Sequence, residues 1–246
     1  MTDNLYPEQG QAVVRALTGL GVRVLYPDGL HCCGLPALNS GDVRHGKWMA
    51  RQTIRALERC DADYIVSGSA SCVATLSQDY LHLFRDDPEW LAKAETLSPR
   101  VVDFTTFLDK VAQIESGSLL PRNGEGGTVT YHDSCQSLNA LGIKEEPRRI
   151  LREVLGAEIS ELPENNVCCG FGGSFSFEHP EIAERLMNRK LNNAESTGAR
   201  TIVTDNQGCI MHLRGGCDAS GRPLRVVHIA ELLADRVRDL FGPQMA

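Results

Sequence analysis

The chain has 246 residues, 42% of them hydrophobic, which is enough for one large or two modest domains of ~100–150 residues with a real core. Its formal net charge is −7, and the absence of a Lys or Arg block argues against a nucleic-acid groove. No apolar run reaches the ~18 residues of a membrane span and no signal-peptide pattern opens the chain, so we expect no membrane span, a cytoplasmic location and reduced cysteines.

Predicted helices and strands alternate through the first half of the chain. The helical patterns cover residues 12–21, 42–59 and 84–99, and the strands cover residues 22–25, 64–67 and the start of 101–108. The third helical segment contains Trp90 and predicts a surface insertion.

The second half repeats this order after a Gly-rich and Ser-rich linker at residues 116–127. Its helical patterns cover residues 147–156 and 180–196, and its strands cover residues 128–131, 158–162, 201–204 and the start of 226–233. Alternating strands and helices predict an α/β fold with parallel sheets. We therefore expect two similar repeats, residues 1–115 and 128–246, each a small parallel sheet flanked by helices and related by a pseudo-twofold axis.

Seven of the nine cysteines follow one repeated scheme. Cys-Cys-Gly occurs at 32–34 and at 168–170, and each copy is followed about forty residues later by a cysteine just past a predicted strand. Neighbouring cysteines seldom form a disulfide with each other because the small ring is strained, but they suit adjacent thiolates on a metal cluster. The candidate ligands are Cys135, Cys168, Cys169 and Cys209 in the second half, and Cys32, Cys33 and Cys72 in the first.

Four thiolates suit either an iron–sulfur cluster or Zn²⁺. Structural zinc sites more often use Cys-x₂₋₄-Cys pairs, which are absent here, and this favours iron–sulfur in the second half. Spacing alone leaves zinc open. The first half offers three thiols, so its site is either empty, holds a labile cluster or takes another ligand.

The repeat also predicts where the counterpart of Cys135 belongs. Superposing the halves on Gly21 and Gly156, or on Cys32 and Cys168, places that counterpart at position 0 or −1, before Met1. The strand at 128–131 likewise has no partner in the first half. We expect that the chain as given starts late and that the upstream DNA encodes a cysteine within a few triplets of Met1.

These residues resemble the cysteine-rich CCG domain family of iron–sulfur proteins. The resemblance rests on the cysteine pattern, on Cys-Cys-Gly-Phe-Gly-Gly at 168–173 and on Val-His-Ile-Ala-Glu at 227–231, and it covers essentially the whole chain. Within the family the chain is most similar to the short two-repeat branch that serves lactate oxidation; glycolate oxidase and heterodisulfide reductase contain related iron–sulfur subunits. In heterodisulfide reductase the last cysteine belongs to a Cys-x-x-Cys pair, whereas Thr75 and His212 stand at those positions here.

The resemblance implies an iron–sulfur electron-transfer subunit, acting with partner chains in a complex that oxidises L-lactate, a small 2-hydroxy acid, to pyruvate. It implies a cluster of the 4Fe–4S type on Cys135, Cys168, Cys169 and Cys209, and an incomplete site on Cys32, Cys33 and Cys72. The alternatives are a zinc-stabilised scaffold or assembly subunit, and a related redox subunit for another 2-hydroxy acid or a disulfide.

Other polar residues near the cysteines have plainer interpretations. His31 is interpreted as a loop residue, His132 as one that caps or hydrogen-bonds locally, and His212 as one that packs at a helix start. The alternative is a donor that tunes the potential of a cluster or, for His212, a ligand. Asp133 and Asp205 are interpreted as turn caps. Gly172 and Gly173 predict backbone N–H groups near sulfur. Cys60 is predicted to be buried packing, and Cys217, after Gly215-Gly216, an exposed thiol in a loop.

Overall fold

A computed structural model describes residues 4–119 and 127–241 of the chain. The helices are α1 (Pro7–Gly19), α2 (Leu35–Asn39), α3 (Val43–Glu58), α4 (Ala70–Ala74), α5 (Tyr80–Leu83), α6 (Pro88–Leu97), α7 (Phe104–Thr106), α8 (Glu145–Arg149), α9 (Phe175–Glu178), α10 (Pro180–Ser196), α11 (Gln207–Ser220) and α12 (Ile229–Phe241). The strands are β1 (Ile65–Ser67), β2 (Val101–Asp103), β3 (Thr128–Tyr131), β4 (Glu158–Ile159), β5 (Thr201–Thr204) and β6 (Arg225–His228). Short π-helical turns cover Thr75–Asp79, Phe107–Val111, Gln136–Ala140 and Ile150–Val154, and a 3₁₀ turn covers Ser98–Arg100.

The chain forms two compact units. The smaller is Leu25–Phe104, and the larger combines Met1–Val24 with Thr105–Ala246. Helix α1 joins the larger unit because it packs on α12, where Gly19 lies so close to Val237 that a Cβ on the glycine would clash. The repeat boundaries at 115 and 128 stay a prediction, and most of the predicted linker, residues 120–126, lies outside the described residues.

In the smaller unit, α3 packs against α2 and α6, and α4 packs against both strands of a two-stranded parallel sheet. Asp42 caps α3 by accepting a hydrogen bond from the His45 backbone N–H at 3.1 Å, which satisfies one of the unpaired donors at the helix start. Strands β1 and β2 pair in register from Ile65 with Val101 onward. The predicted insertion is a helix, α6, but its Trp90 is 7% exposed and lies beneath the Arg51, Arg55 and Lys93 side chains, so it is core rather than surface.

The larger unit contains a four-stranded parallel sheet in the order β4-β3-β5-β6. The last three residues of β3, β5 and β6 are all buried, as expected of a parallel sheet covered on both faces. Strand β3 lies between β4 and β5, so the chain leaves β3 and β5 toward opposite sides. Open α/β sheets bind their ligands at such a point, beyond the carboxyl ends of the strands.

The predicted α/β class, with small parallel sheets flanked by helices, is confirmed. The predicted strand at 22–25 is wrong, since no strand forms there. Its counterpart β4 pairs with β3, and the described part of the first half contains no strand equivalent to β3, so the segment has no neighbour with which to form a ladder. The predicted loop at Gly215-Gly216-Cys217 is also wrong, because these residues continue α11. Among the described helices, none is both long and apolar enough to cross a bilayer.

Candidate metal centre

The larger unit gathers four predicted thiols at the carboxyl edge of its sheet. Cys135 follows β3, Cys168 and Cys169 follow β4, and Cys209 lies in the first turn of α11, directly after β5. The Sγ atoms of Cys169 and Cys209 are 3.3 Å apart. Three strand ends thus bring together cysteines from three separate segments of the chain.

The Cys-Cys-Gly turn is fixed by its glycine. Gly170 has φ +97°, and a Cβ there would lie 2.5 Å from the Ala183 carbonyl oxygen of α10. Only glycine combines this backbone conformation with so close an approach. The Gly170 N–H points at the Cys168 Sγ at 3.3 Å, and the backbone N–H groups of Phe171 and Gln136 act on the sulfurs of Cys169 and Cys135.

A second close approach locks the turn against α11. Gly208 carries no side chain, and a Cβ there would lie 2.6 Å from the Phe171 ring. The Asn206 side chain caps α11 by accepting a hydrogen bond from the Gly208 N–H at 3.1 Å. Phe171 therefore packs directly on the turn that presents Cys209, which keeps the second and third cysteine segments in contact.

The thiols perturb one another strongly. Hydrogen bonds with Cys135 and Cys169 lower the pKa of Cys168 to about 2, and the Gly170 N–H acts in the same direction. A hydrogen bond with Cys169 lowers the pKa of Cys209 to about 6 against the opposing effect of burial, and the nearby His132 ring acts in the same direction as Cys169. The contacts among the thiols raise the pKa of Cys135 and of Cys169. The clustering therefore favours the thiolate, the form in which cysteine binds metals, at Cys168 and Cys209, and disfavours it at Cys135 and Cys169.

His132 lies in the same cluster. One of its ring nitrogens and the Sγ atoms of Cys169 and Cys209 all lie within 4.8 Å of one another, and all three side chains are buried. Neither ring nitrogen is hydrogen-bonded to a nitrogen or oxygen atom of a described residue, and the ring interacts instead with the Cys209 thiol. The ring therefore does not cap the backbone of the described residues.

A buried ion pair holds the loop after β3. The Arg148 guanidinium donates two hydrogen bonds of 2.9 Å to the carboxylate of Asp133 and also pairs with Glu161. The Asn165 side chain accepts from the Asp133 N–H at 2.9 Å and donates to the Tyr131 carbonyl, so it ties this loop to the loop after β4. Removing one partner of such a buried pair typically costs about 3–5 kcal/mol. Asp133 is thus a loop anchor rather than a turn cap.

Lys190 brings a buried positive charge to the site. It is 1% exposed, and its Nζ donates to the carbonyl oxygens of Glu164 and Asn165 at 2.8 and 3.1 Å. Burial lowers the pKa of Lys190, while the negative charge of the Cys169 and Cys168 thiolates opposes that shift. The side chain therefore both anchors the loop before Cys168 and offsets the charge of the thiolates.

The smaller unit repeats the turn with fewer thiols. The Sγ atoms of Cys33 and Cys72 are 3.8 Å apart, while Cys32 is exposed. Gly34 has φ +95°, and a Cβ there would lie 3.1 Å from the Gly46 carbonyl oxygen of α3, the same relation that Gly170 has to α10. The Tyr80 hydroxyl donates to the Cys33 carbonyl at 2.7 Å. A hydrogen bond with Cys33 lowers the pKa of Cys32 to about 6.

The remaining candidates lie elsewhere. His31 stacks on Trp48, and the His212 ring contacts the Ala183 carbonyl and Phe171. Asp205 is fully buried and accepts a 2.6 Å hydrogen bond from Ser137, so it is not an exposed turn cap; burial raises its pKa. Cys217 is 3% exposed in the apolar cluster under α11 rather than in a surface loop, and Cys60 is only half-buried.

Sequence reasoning missed Arg148, Asn165 and Lys190. Arg148 and Asn165 act across separations of 15 and 32 residues, and no local pattern reveals such partners. Lys190 did leave a signal: in the helical pattern 180–196 it lies on the buried stripe with Ala183, Leu191 and Ala194. A lysine on an apolar stripe indicates a buried charge that needs a partner.

The donor set of the larger unit fits a transition metal or a metal–sulfur cluster. Four sulfur atoms and a buried imidazole are soft to intermediate ligands, unlike the oxygen ligands that Mg²⁺ and Ca²⁺ require. The cysteine-rich cluster and the buried ring of His132 beside it together indicate metal binding.

Comparison with known proteins places this site in context. The family described as "CCG: Cysteine-rich domain" matches residues 1–77 and 129–214, two segments that correspond to the two predicted repeats. The chain is 40% identical over 237 residues to the Lactate utilization protein A of Geobacillus thermodenitrificans and to that of Geobacillus kaustophilus, and 39% identical to that of Bacillus velezensis. Each comparison covers 96% of this chain and 96% of the relative.

Proposed function

The chain belongs to the cysteine-rich CCG domain family, and on that basis we propose that it is an iron–sulfur electron-transfer subunit of a multisubunit complex that oxidises L-lactate to pyruvate. The relatives' shared name, Lactate utilization protein A, supports the substrate class. The single observation that supports the redox role best is the convergence of four thiols on one sheet edge, with 3.3 Å between the sulfurs of Cys169 and Cys209.

In this proposal Cys135, Cys168, Cys169 and Cys209 hold a cluster of the 4Fe–4S type. A bound cluster supplies one-electron transfer. The chain's own residues hold the four sulfurs together, exclude water from Cys169 and Cys209, and direct the Gly170 N–H at the Cys168 sulfur. An N–H group near a ligand sulfur and a buried Lys190 both favour the reduced, more negative state, so both raise the reduction potential.

The smaller unit provides Cys32, Cys33 and Cys72 for a second, incomplete site. Three thiols leave one metal position without a protein ligand, and Cys32 is exposed. In the proposed complex, partner chains bind the small 2-hydroxy acid and exchange electrons with this subunit. A cytoplasmic location, where thiols stay reduced, suits its nine free cysteines.

Anaerobic purification with metal analysis tests the proposal. We expect iron and acid-labile sulfide in equal amounts, a broad visible absorption band and an EPR signal after reduction. Stoichiometric zinc with no iron after anaerobic reconstitution would overturn the redox role in favour of a zinc-stabilised scaffold. Loss of lactate-dependent growth on deletion, restored by this chain and not by its Cys169→Ser variant, tests the substrate.

A further inference from the structure

His132 has no function in the cysteine scheme, yet it occupies the deepest part of the site. Its side chain is 0% exposed, and a ring nitrogen lies within 4.8 Å of the sulfurs of Cys169 and Cys209. Neither Nδ1 nor Nε2 is hydrogen-bonded to a nitrogen or oxygen atom of a described residue, and the ring acts on the Cys209 thiol, whose pKa it lowers. The thiols are therefore the polar neighbours of this buried ring.

The backbone fixes this position. His132 directly follows β3, and its N–H donates to the Val203 carbonyl of β5 at 2.8 Å, which extends the ladder by one residue. The next residue, Asp133, is held by the buried pair with Arg148. Because the sheet holds the backbone of His132 on one side and the ion pair holds it on the other, a loop movement cannot carry the ring toward solvent without disrupting both.

A buried imidazole whose polar neighbours are thiols is poorly satisfied, because sulfur is a weak hydrogen-bond partner and water is excluded. His228 shows how the same unit treats a structural histidine: it is equally buried, and its Nδ1 accepts a 3.0 Å hydrogen bond from the Ala230 N–H. The contrast between these two rings indicates that His132 takes its partner from the metal centre.

We propose that His132 is a direct ligand of the metal centre, binding through a ring nitrogen beside the Cys169 and Cys209 thiolates. This inference rests on the proposed function for the identity of the metal, though not for the ligation itself. Neutral imidazole binds both iron and zinc, and histidine replaces cysteine on one iron of certain iron–sulfur centres. With His132 the centre has five protein donors, more than a single tetrahedral ion takes and one more than the four thiolates of an ordinary 4Fe–4S cluster. The cluster in this unit would therefore differ from an ordinary all-cysteine one.

The proposal predicts the charge of the centre as well as its ligands. An imidazole carries no charge where a thiolate carries one, so a histidine ligand makes the centre easier to reduce. His132→Cys, which places a thiolate there, is expected to shift the reduction potential to a more negative value. His132→Asn, which keeps a polar side chain of similar reach, is expected to weaken metal retention while the unit stays folded.

The test uses the full chain labelled with ¹⁵N-histidine and loaded anaerobically with iron and sulfide. Pulsed EPR on the reduced protein is expected to show a nitrogen coupling that changes with the label, disappears in His132→Asn and persists in the control His212→Asn. The wild-type measurement needs no variant, so even after a folding failure of His132→Asn an absent coupling would overturn the proposal, and the His132→Cys variant would then assign a coupling that is present.

The outcomes separate this inference from the proposed function. An iron–sulfur signal with no label-dependent nitrogen coupling would overturn His132 ligation and leave the redox role intact. Zinc alone, with one nitrogen among its neighbours by X-ray absorption and none in His132→Asn, would overturn the redox role and leave the ligation intact. Failure to retain either metal would overturn both.

Discussion

At the scale of single residues, cysteines in the same unit have different roles. Cys169 touches Cys209 across 3.3 Å, whereas Cys217, on the same helix as Cys209, is buried among apolar side chains. Burial alone therefore does not distinguish a ligand from a core residue. Mutual proximity of sulfur atoms does.

The Cys169→Ser substitution is expected to abolish the visible absorption and the iron of the larger unit, because a serine hydroxyl is a poor substitute for a cluster thiolate. Cys217→Ser is the matched control: it is equally buried, and it is expected to retain the iron and lower the free energy of unfolding by about 1 kcal/mol. Iron analysis and urea unfolding measure the two effects. Equal iron loss in both variants would contradict the ligand assignment.

Lys190 gives a second contrast at the residue scale, with its neighbour Arg189. Lys190 is buried beside the thiolates, while Arg189 forms an exposed ion pair with Glu164. Lys190→Met is expected to lower the reduction potential of the cluster, because a positive charge that favours the reduced state is lost, and to cost about 2 kcal/mol of stability through two lost hydrogen bonds.

Redox titration followed by EPR measures this shift, with Arg189→Met as the control. The surface substitution is expected to leave the potential unchanged, because solvent screens an exposed charge. A potential that moves equally in both variants would show that Lys190 acts through overall charge rather than through its buried position.

At the scale of elements, strand ends and glycine turns position the site. The Cys-Cys-Gly turns of both units carry a glycine with positive φ pressed against the following helix, at +95° and +97°. The Cys-Cys-Gly repeat in the sequence is therefore also a repeat of backbone conformation. The effect of a substitution at one glycine can be compared with the effect at the other.

Gly170→Ala is expected to destabilise the larger unit by more than Gly173→Ala. Both positions have positive φ, which costs about 1 kcal/mol for alanine, but only at Gly170 would the new Cβ meet a carbonyl oxygen at 2.5 Å, while nothing lies within 4 Å of the new Cβ at Gly173. Urea unfolding midpoints and iron retention measure the difference. Equal midpoints would show that the turn relaxes freely.

Much of this element order is predictable from the sequence. The strand predicted at 201–204 and the helix predicted at 180–196 match β5 and α10, because strong periodic patterns with clear ends decide both. Gly215-Gly216 led to the wrong prediction of a loop. Gly216 does not mark a turn; it gives the sulfur of Met187 room to pack against α11. Such a contact between helices has no signature in the neighbouring sequence.

The candidate site is predictable in part for a similar reason. The seven cysteines stand out because their spacing repeats along one chain. The position of His132 depends on which strand lies beside β3. The order of the strands in a sheet cannot be deduced from the spacing of residues along the sequence. The anchoring residues Arg148 and Asn165 depend on the same pairing of distant loops.

At the scale of the whole molecule, each of the two compact units carries its own Cys-Cys-Gly turn and its own third cysteine. The larger unit brings together four thiols and an imidazole, and the smaller brings Cys33 and Cys72 within 3.8 Å, with Cys32 exposed. The two centres are therefore expected to differ in metal retention and in potential.

The iron and sulfide content of the full chain, measured after anaerobic reconstitution alongside Cys169→Ser, tests the central claim most directly. We expect wild type to exceed the variant by about four iron and about four sulfide per chain, the content of one 4Fe–4S cluster, with the matching Mössbauer signal absent from the variant. Stoichiometric zinc in place of iron, or iron content unchanged in Cys169→Ser, would contradict the claim.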